Sequence, residues 1–243
     1  MKSFFKIIVT VLLFSCFSHS ELKGQFYYTL GYNAGFPTGL EQLNFVIQRY
    51  NDTRTYLTEP MKKINYLDGF TFTMGGALDV IFVDFGYTAG IQRRFAEGPV
   101  SGVIMRRDLK VSSHLFDFNF GFCTVDPNKG GGYLGASMNI GKFSVKSRVS
   151  EKETIKSVDY VQINPYDDLI FTLGVFMKIC IKNPGIYIQP YYQFPLSHIF
   201  DNDMSTVNEM LNPYTYENDP SPLNINNGTF GVKIGISMLS KND

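Results

Sequence analysis

Residues 115–123, LFDFNFGFC, decide the fold of this chain because bulky aromatic side chains alternate in them with small or polar ones. Side chains along a β-strand point alternately to opposite faces. One face of this stretch is therefore made of phenylalanine, and the other carries Asp117, Asn119 and Gly121. What each face contacts distinguishes a soluble barrel, a sandwich and a membrane barrel.

The same two-residue period recurs in eight segments across the 243 residues of the chain. They lie at about residues 26–36, 68–78, 81–95, 108–123, 131–147, 168–182, 185–197 and 228–240. Turn-forming residues follow the second, fourth and sixth segments, whereas the connections after the first, third, fifth and seventh are long and polar. This alternation predicts an up-and-down barrel in which all long loops leave one end.

The composition of the polar faces predicts that they line the interior of the barrel. A solvated outer face would carry many Lys and Glu residues, but these faces consist mainly of Gly, Thr, Asn and Ser. The opposite faces are bulky and almost free of charge, and in water they would form a larger apolar surface than soluble monomers tolerate. We therefore expect the apolar faces to contact lipid. A secreted lipocalin-like barrel, with the phenylalanines turned inward, is the alternative.

Four charged residues fall in the middle of the polar faces, namely Asp84, Asp117, Lys178 and Lys233. The interior of an eight-stranded barrel is just wide enough for side chains to fill it. Because buried ions are tolerated only when paired, we expect these four to form a structural network of salt bridges and hydrogen bonds. A narrow polar path for protons or small solutes is the alternative.

The alternating segments, of which 116–122 is the clearest, resemble the small eight-stranded outer-membrane barrels of the OmpA and OmpX class and, more closely, barrel proteins common in Bacteroidetes. The resemblance is one of architecture and covers nearly all of the chain beyond its first 24 residues. It implies an all-β, eight-stranded antiparallel up-and-down transmembrane barrel in the cell outer membrane, with both ends periplasmic and the long loops extracellular. Many such barrels end on an aromatic residue, whereas this chain ends on Asp243.

The first twenty residues have the form of a signal peptide. Lys2 and Lys6 precede an apolar run at 7–15, and small residues follow at Ser18 and Ser20. We expect residues 1–20 to be removed, with cleavage possible as late as residue 24, and residues 25–243 to form the barrel domain. A lipoprotein signal acylated at Cys16 is the alternative.

Two further cysteines, Cys123 and Cys180, fall on predicted strands that are separated by another strand. Their separation is then about two ladder spacings, or ~10 Å, which exceeds the reach of a disulfide. We predict two free, buried thiols.

The long connections contain three features of interest. Thr38 and Glu41 have the spacing of a capping box, and an apolar stripe follows, which predicts a short helix at about 39–51 that packs on the barrel mouth. The second connection is flanked by Arg93, Arg94, Arg106 and Arg107, which antiparallel pairing brings to the outer rim as possible contacts for lipopolysaccharide phosphates. The last connection is acidic, but residues 201–212 lack the glycine and glutamate of a calcium loop.

No catalytic motif or cofactor site is evident in the sequence. Ser112 and His114 lie two residues apart on one strand, near the outer leaflet, but have no acidic partner, so we read them as interfacial polar residues. Equal numbers of basic and acidic residues give no indication of nucleic-acid binding. We expect a non-enzymatic outer-membrane barrel whose extracellular loops mediate interaction with another envelope protein, adhesion or envelope stabilisation. A narrow channel or small-ligand barrel, and a lipid A-modifying enzyme, are the alternatives.

Overall fold

The computed structural model describes residues 24–78, 81–123, 131–164, 169–181, 185–196, 203–213 and 228–239. Nine strands fall in these ranges: β1 (Gly24–Pro37), β2 (Leu67–Leu78), β3 (Ile81–Val100), β4 (Val103–Cys123), β5 (Gly132–Glu151), β6 (Val161–Gln162), β7 (Leu169–Ile181), β8 (Gly185–Pro195) and β9 (Thr229–Leu239). The helices there are α1 (Leu40–Asp52) and α2 (Asp203–Leu211), with a 3₁₀ turn at Ile155–Ser157. Neither described α-helix is long and apolar enough to cross a bilayer.

Eight of the strands form a closed antiparallel ring. Each pairs with its neighbours along the chain, β5 pairs with β7, and β9 pairs with β1 to complete the circle. The short strand β6 pairs with the edge of β5 at Lys146 and Ser147, beside the ring. The predicted eight-stranded up-and-down barrel is therefore confirmed.

The apolar face of the ring points outward. Phe116 and Phe122 are 63% and 59% exposed, whereas Asp117 and Asn119 between them are 3% and 2% exposed. Exposed apolar side chains continue around the ring, and we call the segments that carry them the apolar belt: residues 26–32, 70–76, 81–87, 116–122, 134–140, 169–181, 186–194 and 230–238. The fold thus has the orientation expected of a small outer-membrane barrel and not that of a lipocalin-like barrel.

Strands β3, β4 and β5 continue well past the apolar belt. The long loop expected between the third and fourth strands is therefore wrong, because these residues form a paired hairpin. β3 and β4 pair without interruption as far as Val100 and Val103, and a two-residue turn at Ser101 and Gly102 joins them. Both turn residues have positive φ (50° and 84°), as hairpin turns of this length require. Residues 96–107 read as a loop in the sequence, but in the structure all of them except the two turn residues are cross-strand partners.

Helix α1 closes the mouth of the barrel on the same side as these extensions. Its buried face consists of Leu40, Leu43, Val46, Ile47 and Tyr50. This face belongs to an apolar cluster that includes inward-facing residues of the extended strands, such as Leu109 and Val145, and residues of α2. The predicted helix is present, with bounds shifted by one residue at each end.

The predicted capping box is absent from α1. Gly39 occupies the capping position, so Thr38 lies one residue too early, and its hydroxyl donates to the carbonyl oxygen of Gly228 at 3.0 Å. Asn44 and Asn51 instead fix the helix to the loop that follows it. Their side chains exchange hydrogen bonds of 2.7–2.9 Å with the backbone of Ile64 and Met61.

Candidate functional site

The four charged residues predicted for the lumen lie inside the barrel and form two ion pairs. Lys233 Nζ lies 2.7 Å from Asp117 Oδ2, and Lys178 Nζ lies 3.7 Å from Asp84 Oδ2. All four are at most 4% exposed. Removing one partner of such a pair leaves an uncompensated buried charge, so each pair constrains the register of the strands that carry it.

Aromatic and amide side chains surround these ion pairs. Tyr27 donates from its hydroxyl to Asp84 Oδ2 at 2.7 Å, and Asn119 donates to Asp84 Oδ1 at 2.5 Å. The Lys178 ammonium also lies 4.5 Å from the centre of the Tyr27 ring and 5.4 Å from that of Tyr187, within the range of cation–π attraction. The charges are therefore embedded in packed side chains rather than aligned along an open path.

The mouth of the lumen is filled by a different kind of packing. There, α1 and α2 place apolar side chains against the inward faces of β4, β5 and β7, including Val111, Phe143 and Ile170. Arg54 ties the two helices together by donating to the Leu211 carbonyl oxygen at 2.9 Å and to Asn212 Oδ1 at 3.2 Å. A filled interior of this kind does not leave room for a wide channel.

Three of the four rim arginines make contacts within the protein. Arg94 donates to Gln92 at 2.6 Å, and Arg107 donates to Ser147 at 3.1 Å. Arg106 bridges Glu97 and Asp108 at 3.0 and 2.6 Å. Arg93 is exposed and makes no ion pair with any residue in the described ranges. Among the four, it is therefore the one best placed to contact an external phosphate.

A network of ion pairs stiffens the extended strands above the apolar belt. Asp108 accepts from Arg106 on its own strand and from Arg148 on β5 at 2.9 Å, and Glu97 accepts from Lys152 at 2.6 Å. Burial alone would lower the pKa of Arg106, but the hydrogen bonds and negative charges of Asp108 and Glu97 raise it. Asp108 and Glu97 thus each form ion pairs with two basic side chains.

A cluster of basic residues on the outer wall was not predicted from the sequence. Strand register places Arg93, Lys110 and Lys146 directly opposite one another on β3, β4 and β5. Four residues lower on the same outward face, His114 and Lys142 are opposite each other, with Ser112 and Ser144 between the two rows. We call Arg93, Lys110, Lys146, His114 and Lys142 the basic ladder. The basic residues are visible in the sequence, but their proximity follows only from the register of β3, β4 and β5.

The Ser112 and His114 pair has no arrangement for catalysis. Ser112 is 3% exposed, and its hydroxyl lies 3.0 Å from that of Ser144. His114, which lies just beyond the belt, contacts the Tyr87 hydroxyl through Nδ1 at 2.6 Å. Burial, and then the positive charges of Lys110 and Lys146, lower the pKa of His114. No group of three or more metal-ligating side chains occurs among the residues that the structure describes.

Comparison with known proteins gives a likeness of shape but no family. No protein-family model matches the chain, and no curated protein matches it. Two solved structures of Ail, the attachment invasion locus protein of Yersinia pestis, each align with 89% of this chain over their full length, at 14% identity. Their TM-scores are 0.36, for the complex with the heparin analogue sucrose octasulfate, and 0.38. Neither value is high enough to transfer a function to this chain.

Several sequence predictions concern residues outside the described ranges or only partly within them. The signal peptide, Cys16, most of the turn-forming residues after the second, fourth and sixth segments, and most of the acidic connection lie outside. Part of the supposed calcium-loop stretch, Asp203–Leu211, is α2. Cys180 is a free, buried thiol, whereas the side chain of Cys123 is not described.

Proposed function

We propose that this chain is a non-enzymatic outer-membrane barrel whose work is done by the structured surface beyond its apolar belt. The observation that carries the proposal is the combination of an outward apolar belt with a filled lumen. Such a barrel is anchored in lipid but leaves no room for a wide channel. Its remaining surface consists of the extended β3–β4–β5 sheet and the two helices.

This surface is suited to binding because it is rigid. Cross-strand ion pairs and the two-residue turn fix the sheet, and backbone hydrogen bonds join the loop at Glu59 to Glu97. Interaction with another envelope protein, adhesion and envelope stabilisation all require such a surface, and lipopolysaccharide is the partner that the outer leaflet would offer. Membership of the Bacteroidetes group, periplasmic ends and an extracellular sheet remain parts of this hypothesis that rest on the sequence.

The membrane part of the proposal is tested by gel mobility and by conductance. A folded membrane barrel resists SDS until it is boiled, so we expect a mobility shift on heating and recovery of the protein in the outer-membrane fraction. Reconstitution into planar bilayers should give no conductance steps. Recovery of folded protein without detergent, or regular conductance steps, would contradict the proposal.

The binding part is tested by shortening the β3–β4 hairpin. Residues 98–105 are replaced by Asn-Gly, which joins Glu97 to Arg106, a directly opposed pair that a two-residue turn can connect. The point variant Ser101→Asn, which retains the full hairpin, is the matched control. We expect the shortened barrel to keep its heat-modifiable mobility while adhesion of producing cells to matrix-coated surfaces, or to one another, falls about tenfold or more. Unchanged adhesion and aggregation would exclude the hairpin as the binding surface.

Neither alternative function gains support from the geometry. The packed side chains around Asp84 and Lys178 do not favour a solute path. The buried Ser112 hydroxyl, next to Ser144, does not favour a lipid-modifying enzyme.

A further inference from the structure

The basic ladder places like charges in direct opposition. Arg93, Lys110 and Lys146 occupy one cross-strand row, so three cations lie within about 10 Å, two ladder spacings. Like charges directly opposite one another destabilise a sheet. In the described part of the chain, none of the three has a salt bridge to compensate for this repulsion.

The nearest carboxylates on the same face are already occupied. Asp108, the next outward residue beyond Lys110, is held by Arg106 and Arg148. Asp68, on β2 and opposite Ile91, accepts hydrogen bonds from Tyr32 at 2.9 Å and from Gln92. Two arginines neutralise Asp108, and Asp68 makes no salt bridge to Arg93, Lys110 or Lys146 in the described part of the chain, so the ladder keeps its positive charge.

The two rows of the ladder have small side chains between them. Ser112 and Ser144 lie opposite each other, one row below Lys110 and Lys146 and one row above His114 and Lys142. The two basic rows are four residues apart along the strands, or about 13 Å. Long basic side chains thus lie on both sides of two small residues, so a ligand that carries more than one anionic group can reach both rows at once.

The lower row of the ladder directly adjoins the apolar belt. His114 is the next outward residue after Phe116 on β4, and Lys142 is the next after Ile140 on β5. A ligand that spans the two rows would therefore lie where acyl chains end and head groups begin. This position distinguishes a lipid head group from a polyanion that approaches from solution.

We propose that the basic ladder binds the phosphate groups of an outer-leaflet glycolipid. Arg93, Lys110 and Lys146 hold one phosphate, and Lys142, with His114 beside it, holds a second nearer the acyl chains. The half-buried Ser144 hydroxyl contacts the sugar between them. Charge-assisted hydrogen bonds of this kind are the stronger class in proteins, and a planar guanidinium can bind phosphate in a bidentate manner. The inference rests on the outer-membrane location under Proposed function and gives the barrel a specific lipid partner.

The test is isothermal titration of the folded full-length protein in detergent micelles. The probes are the deacylated bisphosphorylated disaccharide of lipid A, the same disaccharide without phosphate, inorganic phosphate and dextran sulfate. We expect the bisphosphorylated probe to bind the wild type and to raise its unfolding temperature. The triple variant Arg93→Gln/Lys110→Gln/Lys146→Gln should lose affinity about a hundredfold.

A matched control removes the same charge elsewhere on the same side of the barrel. Lys62, Lys63 and Lys156 are exposed, and the Gln triple variant of these residues should bind the probe within about twofold of the wild type. Heat-modifiable mobility verifies the fold of every variant. Equal losses in the two triple variants, or equal binding of the phosphate-free disaccharide, would overturn the proposed site.

The remaining probes test the choice of a lipid head group. Inorganic phosphate or dextran sulfate binding as tightly as the disaccharide would overturn that choice. The outer-membrane location is tested separately, by fractionation and gel mobility. The titration does not depend on where the cell places the protein, so the two hypotheses can fail independently.

Discussion

At the scale of single residues, the interior lysines Lys178 and Lys233 are buried and held by ion pairs. Lys233 on β9 reaches Asp117 on β4 across the barrel, and its ammonium also lies 5.6 Å from the centre of the Tyr191 ring. The carboxylate that it neutralises is 3% exposed. Loss of the lysine would leave Asp117 charged in a site from which water is largely excluded, which is expensive in free energy.

Replacing Lys233 with Met should therefore destabilise the barrel by about 3–5 kcal/mol, because it leaves a buried carboxylate without its partner. The double variant Lys233→Met/Asp117→Leu should recover much of this loss, since neither charge remains. Guanidinium unfolding in lipid vesicles measures both free energies of unfolding. A double variant as unstable as the single one would show that the pair is not the source of the effect.

Alternation along the strands predicts which face these residues occupy, but not which partner each one meets. Asp84, Asp117, Lys178 and Lys233 all fall on the polar face by parity alone. The pairing of Lys233 with Asp117 rather than Asp84 depends on the stagger of strands around the ring, and that stagger cannot be read from any single strand. The same limitation concealed the row of Arg93, Lys110 and Lys146.

At the scale of the secondary-structure elements, helix α1 and the β3–β4 hairpin differ in how well their sequences predicted them. The apolar residues of α1 recur at helical spacing, and this signal is local, so the helix was predicted to within one residue. In the hairpin, residues 96–107, which include Arg106, resemble a solvated loop. Their strand structure depends on ion pairs between strands, including Arg148 on β5, and such pairs have no local signature.

The packing of α1 in the mouth is tested by truncating one buried side chain. Leu43→Ala removes a fully buried residue from the apolar cluster, at a cost of about 2–5 kcal/mol. We expect the substitution to destabilise the packing of α1 and not the barrel. Trypsin should then cleave at Arg49 and Arg54, while heat-modifiable mobility is retained. Phe45→Ala is the control, because Phe45 is 50% exposed on the same helix. Equal trypsin resistance in both variants would argue against the packed position of α1.

At the scale of the whole molecule, the apolar belt makes the fold stable in lipid or detergent and not in water alone. Nearly every outward position from β7 through β9 is apolar, with no charge among residues 169, 171, 173, 175, 177, 179 and 181. Periodicity predicted this arrangement because lipid-facing strands are long and continuous. The length of the strands beyond the belt was not predicted, because polar residues are equally compatible with a solvated loop and with a paired strand in water.

Introducing a charge into the belt should be much more costly than introducing the same charge above it. Leu173→Arg lies near the middle of β7 and should lower the free energy of unfolding in vesicles by about 2–4 kcal/mol. Val161→Arg, at a position that is somewhat more exposed than Leu173 but lies on β6, should have little effect. Equal costs at the two positions would mean that Leu173 does not contact hydrocarbon.

The pairing of β1 with β9 has a consequence for how the protein is made. Residues 27–37 pair with residues 229–239, so β1 cannot complete its pairing until β9 has been synthesised. Contacts so distant in sequence slow folding, and an open sheet presents two unpaired edges on which copies can aggregate. We therefore expect the newly made chain to depend on a chaperone that keeps it extended until it is complete, and loss of the final strand to leave an open ribbon rather than a smaller barrel.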